Sequence, residues 1–328
     1  MHFHYLFFAF FLLTLLLSGG CKRTTEPVTR TSFRLDTVVT ITIYDSEDTS
    51  LLDGAMELCD YYENLLSRTR ETSEIYQLNQ GIRQEVSDET AALLALALDY
   101  SAKTDGLFDP TIGPVSSLWD FHAEDPEAPR DELIQEALPL VDYRNVTLSG
   151  NTVTFRKKGM MLDLGGIAKG YIADRIKDYL TEQGVTSAII NLGGNVLCIG
   201  SRPDGTPFQV GIQQPFEEGT ATDMKPLQIR DQSVVTSGIY QRYFETDGIF
   251  YHHILDPKTG FPCENELASV TIICDQSADG DALSTSCFLM GLEKGLAFVN
   301  DLEDVQAVFI TKEGEVFYSD DFSNQAAY

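Results

Sequence analysis

Apolar and polar positions alternate from Thr37 to Tyr44, with Val39, Ile41 and Ile43 on one side and Thr40 and Thr42 on the other. That period of two predicts a half-buried strand. At Leu51 the period changes, and Leu51, Ala55, Leu58, Tyr62 and Leu65 form a helical stripe running to Leu66. Ser87, followed by Asp88 and Glu89, caps a second helix that stops before Gly106. Val146 to Phe155 reads as a hairpin turning at Ser149-Gly150-Asn151, and Val305 to Thr311 with Glu315 to Tyr318 as another. Between them the pattern predicts helices from about Ala168 to Glu182 and Asp279 to Met290, and strands at Ala188 to Asn191 and Ser269 to Ile273. Phe121 to Arg130 and Pro203 to Pro226 read as surface loops. Strands come in hairpins as often as they alternate with helices. The expected class is therefore α+β with antiparallel sheets, not a doubly wound parallel sheet.

The N-terminal stretch is patterned differently. No Asp, Glu, Lys or Arg occurs from Met1 to Gly20, and Phe7 to Leu17 is an almost unbroken apolar run. The run is too short to span a bilayer as a helix and fits the hydrophobic part of a secretory signal. Leu17-Ser18-Gly19-Gly20-Cys21 then resembles a bacterial lipobox, which implies a signal peptide over residues 1–20 and lipidation of Cys21. An uncleaved N-terminal anchor is the alternative. Both place the domain on the far side of a membrane, and the first makes it an extracytoplasmic, lipid-anchored protein. Residues 21–32 are expected to form a polar tether, and residues 33–328 one domain.

Charge narrows the function classes. The chain of 328 residues has 23 Lys and Arg against 50 Asp and Glu, a formal net charge of −27, all of it after Gly20. This argues against nucleic acid as the main partner, because phosphate backbones call for cationic side chains. It leaves open that some carboxylates hold a cation. Cys59, Cys198, Cys263, Cys274 and Cys287 are odd in number, lack a C-x-x-C spacing and sit among apolar neighbours. Buried free thiols are expected in preference to a disulfide framework or a zinc site, with a Cys263–Cys274 bridge left open.

Four segments combine glycines, carboxylates and hydroxyls. Thr104 to Pro114 sets Asp105 and Asp109 among Gly and Pro breakers, as an ordered loop or simply a helix end followed by turns. Leu162-Asp163-Leu164-Gly165-Gly166-Ile167-Ala168-Lys169-Gly170 leads into a helix. There, backbone amides and the helix N-terminus can approach an anion, and Lys169 adds a full positive charge. It is neither the dinucleotide fingerprint nor a Walker loop, and a plain strand–helix turn fits equally well. Val235 to Tyr240 and Tyr251 to Pro262 bring the adjacent pair His252 and His253. Neighbours in a strand face opposite sides, so at most one of them is expected at a site. In Ser277 to Thr285, Asp281 and Thr285 lie one helical turn apart with Ser284 adjacent. Carboxylate plus hydroxyls suits Mg2+ and not zinc or copper, while a helix cap with polar decoration is the plainer reading.

Taken in order, the segments resemble the FAD:protein FMN transferases of the ApbE family. The matching stretches are Leu35-Asp36-Thr37, Leu66-Ser67-Arg68, Ser73-Glu74-Ile75, Leu78-Asn79, GLFDPTIGP with Leu118-Trp119, LDLGGIAKGY, Asn191-Leu192-Gly193-Gly194-Asn195, TSGIY, HHILDPKTGFP and DALST. They span the chain from about Phe33 to Met290. The resemblance implies a two-layer, T-fold-like arrangement on antiparallel sheets, with FAD in a cleft of the catalytic domain. It also implies Mg2+-dependent transfer of FMN from FAD to a Thr or Ser hydroxyl of a membrane or extracytoplasmic redox protein, through a phosphodiester, with AMP released. The acceptor is expected to bear an S/T-G-A-S/T-like motif, which this chain itself lacks.

Carried over by motif position, Asp281, Ser284, Thr285 and the carbonyl of Gly166 would hold the metal. FAD contacts would map to Leu35, Thr69, Leu107, Phe108, Asp109, Asp163, Lys169 and Leu255. His253 would help remove the acceptor proton, with Lys169 and Asp163 also in catalytic roles. Asp163 would orient either Lys169 or the ribityl hydroxyls. Thr69 falls where variation in the family accompanies hydrolysis of FAD in place of transfer. An FAD pyrophosphatase is thus the chemically adjacent alternative, and a non-catalytic flavin-binding lipoprotein is the third.

Overall fold

The computed structural model describes residues 26–216 and 225–322; the signal segment and Cys21 lie outside the described residues. The hairpin of β1 (Val28–Arg34) and β2 (Thr37–Ile43) is followed by helices α1 (Ser50–Leu66), α2 (Glu74–Asn79), α3 (Asp88–Lys103), α4 (Gly113–Ser116) and α5 (Asp131–Ala137). A small hairpin, β3 (Val146–Ser149) and β4 (Thr152–Phe155), precedes α6 (Ala168–Glu182). Then come β5 (Ser187–Leu192), β6 (Asn195–Gly200), β7 (Phe208–Val210), β8 (Leu227–Ile229), β9 (Ser233–Gly238), β10 (Tyr243–Thr246), β11 (Ile249–His252) and β12 (Leu267–Cys274). The fold closes with α7 (Ser277–Met290), α8 (Leu292–Asn300), β13 (Gln306–Thr311) and β14 (Val316–Tyr318).

Eight strands form one sheet in the order β1-β2-β5-β6-β9-β12-β13-β14, with every neighbouring pair antiparallel. The α+β expectation therefore stands. The main helices bury their apolar stripes against one sheet face, where Val39, Ile41, Ile190, Val270, Ile272 and Phe309 are buried. Each such side chain stabilises the fold by about 2 kcal/mol. On the opposite face, Phe208 and Val210 of β7 and Leu227 and Ile229 of β8 cover Cys198, Val234, Val308 and Ile310. A third cluster gathers Val115, Trp119, Ile134, Phe244 and Leu255. All five cysteines among the described residues are buried and free, so no Cys263–Cys274 bridge forms.

Three expectations need correction. The last five residues of the expected tether, 28–32, belong to the sheet, because β1 begins at Val28 and pairs with β2. Apolar alternation is missing there since Thr29–Thr42 and Thr31–Thr40 hydroxyl pairs, both 3.0 Å, and ion pairs of Arg30 with Asp53 and Arg34 with Asp60 hold this edge strand. The Pro203–Pro226 loop contains β7, three residues long and too short to show a period. In α1 the buried face is rotated toward Met56, Cys59 and Leu66, leaving Leu58 and Leu65 only partly buried.

Candidate active site

The glycine-rich segment is fixed before it enters α6. Asn79 clamps Leu162 through both its backbone groups, accepting from the amide at 2.7 Å and donating to the carbonyl at 2.8 Å. The amide of Asp163 donates to the carbonyl of Pro110 at 2.8 Å, joining this turn to the GLFDPTIGP loop. Phe108 is buried beside it, and a Cβ built on Gly166 would lie 3.1 Å from its ring. The side chain of Asp163 pairs with Arg68 at 3.0 Å and accepts from Ser116 Oγ at 2.7 Å and the Gly165 amide at 2.9 Å. Its cation is thus Arg68, a partner that neither of the two roles expected for Asp163 includes. Thr69, next to Arg68, shares a 3.1 Å hydroxyl hydrogen bond with Ser67 on the exposed side of the same loop.

Two of the expected FAD contacts have side chains already engaged. Asp109 accepts from the Thr111 amide and hydroxyl and from the Tyr143 amide, and burial raises its pKa against those hydrogen bonds. Its carboxylate thereby ties the loop to the Tyr143 turn. Leu255 lies 9% exposed in the third apolar cluster. Leu107 is half-buried, and Leu35 sits at φ 53° in the β1–β2 turn beside Asp36.

Asp281 is buried on α7 at the start of α6. One carboxylate oxygen accepts from the Gly170 amide at 2.5 Å and the other from Asn195 Nδ2 at 3.0 Å. Burial raises its pKa, and the nearby Lys169 charge and these two donors oppose that rise. Among the described residues no cation lies within ion-pair distance of it. Ser284 and Thr285 follow on the same helix, and the Ser237 hydroxyl bonds both, at 2.8 and 3.2 Å. The sequence-predicted carboxylate and hydroxyl groups are therefore arranged on α7 as the helical spacing requires.

The two histidines have separate partners, His252 as the last residue of β11 and His253 just beyond it. His252 is buried; its Nε2 donates to the Cys263 carbonyl at 3.1 Å and its Nδ1 accepts from the Ile254 amide at 3.3 Å. Burial pushes its pKa down to about 4. His253 is only partly exposed, and burial, aided by Arg242, His252 and Lys169, pushes its pKa down to about 3. Its Nδ1 lies 3.2 Å from the Arg242 carbonyl, an acceptor, so Nδ1 carries the proton and Nε2 keeps a lone pair. The Arg242 guanidinium donates to the Asp36 carbonyl at 2.9 Å, tying this region to the turn that carries Leu35. Lys169 is the shared neighbour: its charge acts on both Asp281 and His253.

The donor set around Asp281 fits a small hard cation. Among the described residues no three His, Cys, Asp or Glu side chains cluster to hold a metal. A cation at Asp281 would therefore rely on hydroxyl and carbonyl oxygens, which Mg2+ prefers. Two cavities, of about 220 and 490 Å3, are lined by other residues, such as Tyr100 and Asp279 or Arg30 and Asp60, and contain none of the candidates. Asn195, Ser237, Arg68 and Asn79 lie within the motif stretches but received no role from sequence. Their partners are 47 to 95 positions away and leave no local spacing: Ser237 meets Ser284 at a separation of 47, Asn195 meets Asp281 at 86, and Arg68 meets Asp163 at 95.

With this geometry in place, the family described as the ApbE family matches residues 35–309. A Klebsiella pneumoniae protein named FAD:protein FMN transferase is 40% identical over 84% of this chain and 86% of its own length. A Treponema pallidum protein of the same name is 36% identical over 91% and 88%. The solved structure called Flavin Transferase ApbE from Vibrio cholerae has a TM-score of 0.80 at 27% identity, covering 90% of this chain and 97% of that one. The ApbE protein of Thermotoga maritima has a TM-score of 0.82 at 32% identity, covering 90% and 97%.

Proposed function

The chain belongs to the ApbE family, and we propose from that premise that it moves FMN from FAD to a Thr or Ser hydroxyl of a partner protein. The observation that carries this reading is Asp281: a buried carboxylate with hydroxyls one turn on and no paired cation, set beside Lys169 at the start of a helix. The acceptor oxygen attacks the FMN phosphorus of the FAD pyrophosphate, and the bond from that phosphorus to the bridging oxygen breaks. AMP departs with that oxygen. The hydroxyl proton goes to Nε2 of His253, whose tautomer is fixed by the Arg242 carbonyl.

Lys169 and the amides at the start of α6 stabilise charge that builds on the phosphates. Held by Asp281, Ser284, Thr285 and the Gly166 carbonyl, Mg2+ would neutralise the pyrophosphate and polarise its oxygens. Arrival of that anion beside His253 also raises the basicity of a group that the free protein holds low. Asp163, with Arg68, supports the turn that presents Gly166 and the ring of Phe108 to the flavin nucleotide.

Lipidation at Cys21 and an extracytoplasmic, membrane-anchored location complete the reading, supported by the lipobox-like Leu17–Cys21. The acceptor would then be a redox protein with an S/T-G-A-S/T-like segment exposed in the same compartment. The test is intact-mass spectrometry of such a peptide after incubation with the protein, FAD and Mg2+. One FMN per peptide is expected. Free FMN and AMP with unmodified peptide would make the protein an FAD pyrophosphatase, and intact FAD would make it a flavin-binding protein.

A further inference from the structure

Helices α6 and α7 cap each other. Neither has a side-chain cap from its own N-cap residue, Ile167 or Gln276. Instead, Asp281 of α7 accepts from the Gly170 amide in the first turn of α6. In return, Asp174 of α6 accepts from the Ser277 amide at 2.8 Å and the Ala278 amide at 2.9 Å, the first two residues of α7. The helices approach so closely that a Cβ on Gly170 would sit 2.1 Å from the Ser277 carbonyl oxygen. That contact is why residue 170 must be glycine.

The hydrogen bonds close into a ring. Ser277 Oγ donates to Asn195 Oδ1 at 2.7 Å, and Asn195 Nδ2 donates to Asp281. Asp281 returns to Gly170, one turn before Asp174 on α6. Asp174, Ser277, Asn195 and Asp281 are each 5% exposed or less. In such a setting a broken link leaves a buried polar group unpaired, so the ring has one stable register.

We propose that Asp174 is a positioning residue for the cation site: by capping α7 it sets the register in which Asp281, Ser284 and Thr285 face the Lys169 end of α6. The inference rests on the proposed Mg2+ role of Asp281 and assigns Asp174 no contact with substrate. Ionised Asp174 also places its charge at the positive end of α7, which strengthens the cap.

The test is Mn2+ binding to the full chain, followed by electron paramagnetic resonance and therefore independent of turnover. Asp174→Asn keeps one carbonyl acceptor for the two amides, and the expected result is about a tenfold loss of Mn2+ affinity, the scale seen when groups behind metal ligands are altered. Ser277→Ala, which breaks the ring at Asn195 while keeping both capping amides, should weaken Mn2+ in the same direction. Ser87→Ala removes the cap of α3, outside the ring, and should lower the Tm with Mn2+ affinity unchanged. Wild-type affinity in both ring variants would overturn the inference and leave the metal reading standing. A wild-type chain that binds no Mn2+ would overturn the metal reading and this inference together.

Discussion

Two carboxylates stand on either side of the glycine-rich turn, and their surroundings differ in kind. Asp163 has a guanidinium at 3.0 Å, a hydroxyl and an amide, so its charge is balanced by the protein alone. Asp281 is more deeply buried, holds only an amide and an amide side chain directly, and feels Lys169 from a distance. A buried charge left without a counter-ion is costly and is normally paired or used to coordinate a metal. That difference is the ground for the proposed cation role of Asp281. The neighbouring histidines repeat the contrast: both ring nitrogens of His252 are hydrogen-bonded by the fold, whereas His253 uses only Nδ1 among the described residues.

The largest expected effect comes from removing the uncompensated charge. Asp281→Ala should lower the rate of FMN transfer by about 10³-fold, the scale of several kcal/mol of charge stabilisation, and should also lower the Tm, since the Gly170 amide and the Asn195 side chain lose their buried acceptor. Equal activity in this variant would erase the contrast. His253→Ala should slow transfer by about 10²- to 10³-fold while FAD and Mn2+ binding persist; loss of FAD binding would make it a binding group instead.

The partner histidine should act on stability and not on chemistry. The unfolded chain takes a proton at His252 near pH 6.5, but the folded chain does so only near 4. The unfolded state therefore binds more protons in that window. The stability contributed by His252 is full above about pH 6.5, and about 3 kcal/mol of it is lost as the pH drops to 4. Denaturant unfolding of wild type and His252→Gln across this range should show a smaller slope in the variant, with the share of His253 remaining. The smallest effect is expected at the balanced carboxylate. Arg68→Met breaks a partly exposed pair and should cost about 1 kcal/mol, measured by urea unfolding, with transfer reduced less than about tenfold.

What the sequence made legible follows from how local each signal was. The alternation of β2, the Ser87 cap of α3, both hairpins and the helical spacing of Asp281 with Thr285 need only nearby residues, and all are present in the structure. β1 was hidden because an edge strand exposed to water can be stabilised by Thr pairs and ion pairs in place of apolar alternation. Arg68 as the partner of Asp163, and Asp174 as the cap of α7, were hidden because each depends on residues about 95 or 103 positions away. Asp109 combines the two cases: its bonds from Thr111 are two positions away, whereas the one from the Tyr143 amide spans 34 positions and has no local signal.

The most direct test of the account is Mn2+ titration of the wild-type chain beside Asp281→Ala and Asp163→Asn, with the bound ion counted by electron paramagnetic resonance. The account predicts a bound ion in the wild type and in Asp163→Asn, and none in Asp281→Ala at the same concentrations. Undiminished binding in Asp281→Ala, or loss confined to Asp163→Asn, would contradict it.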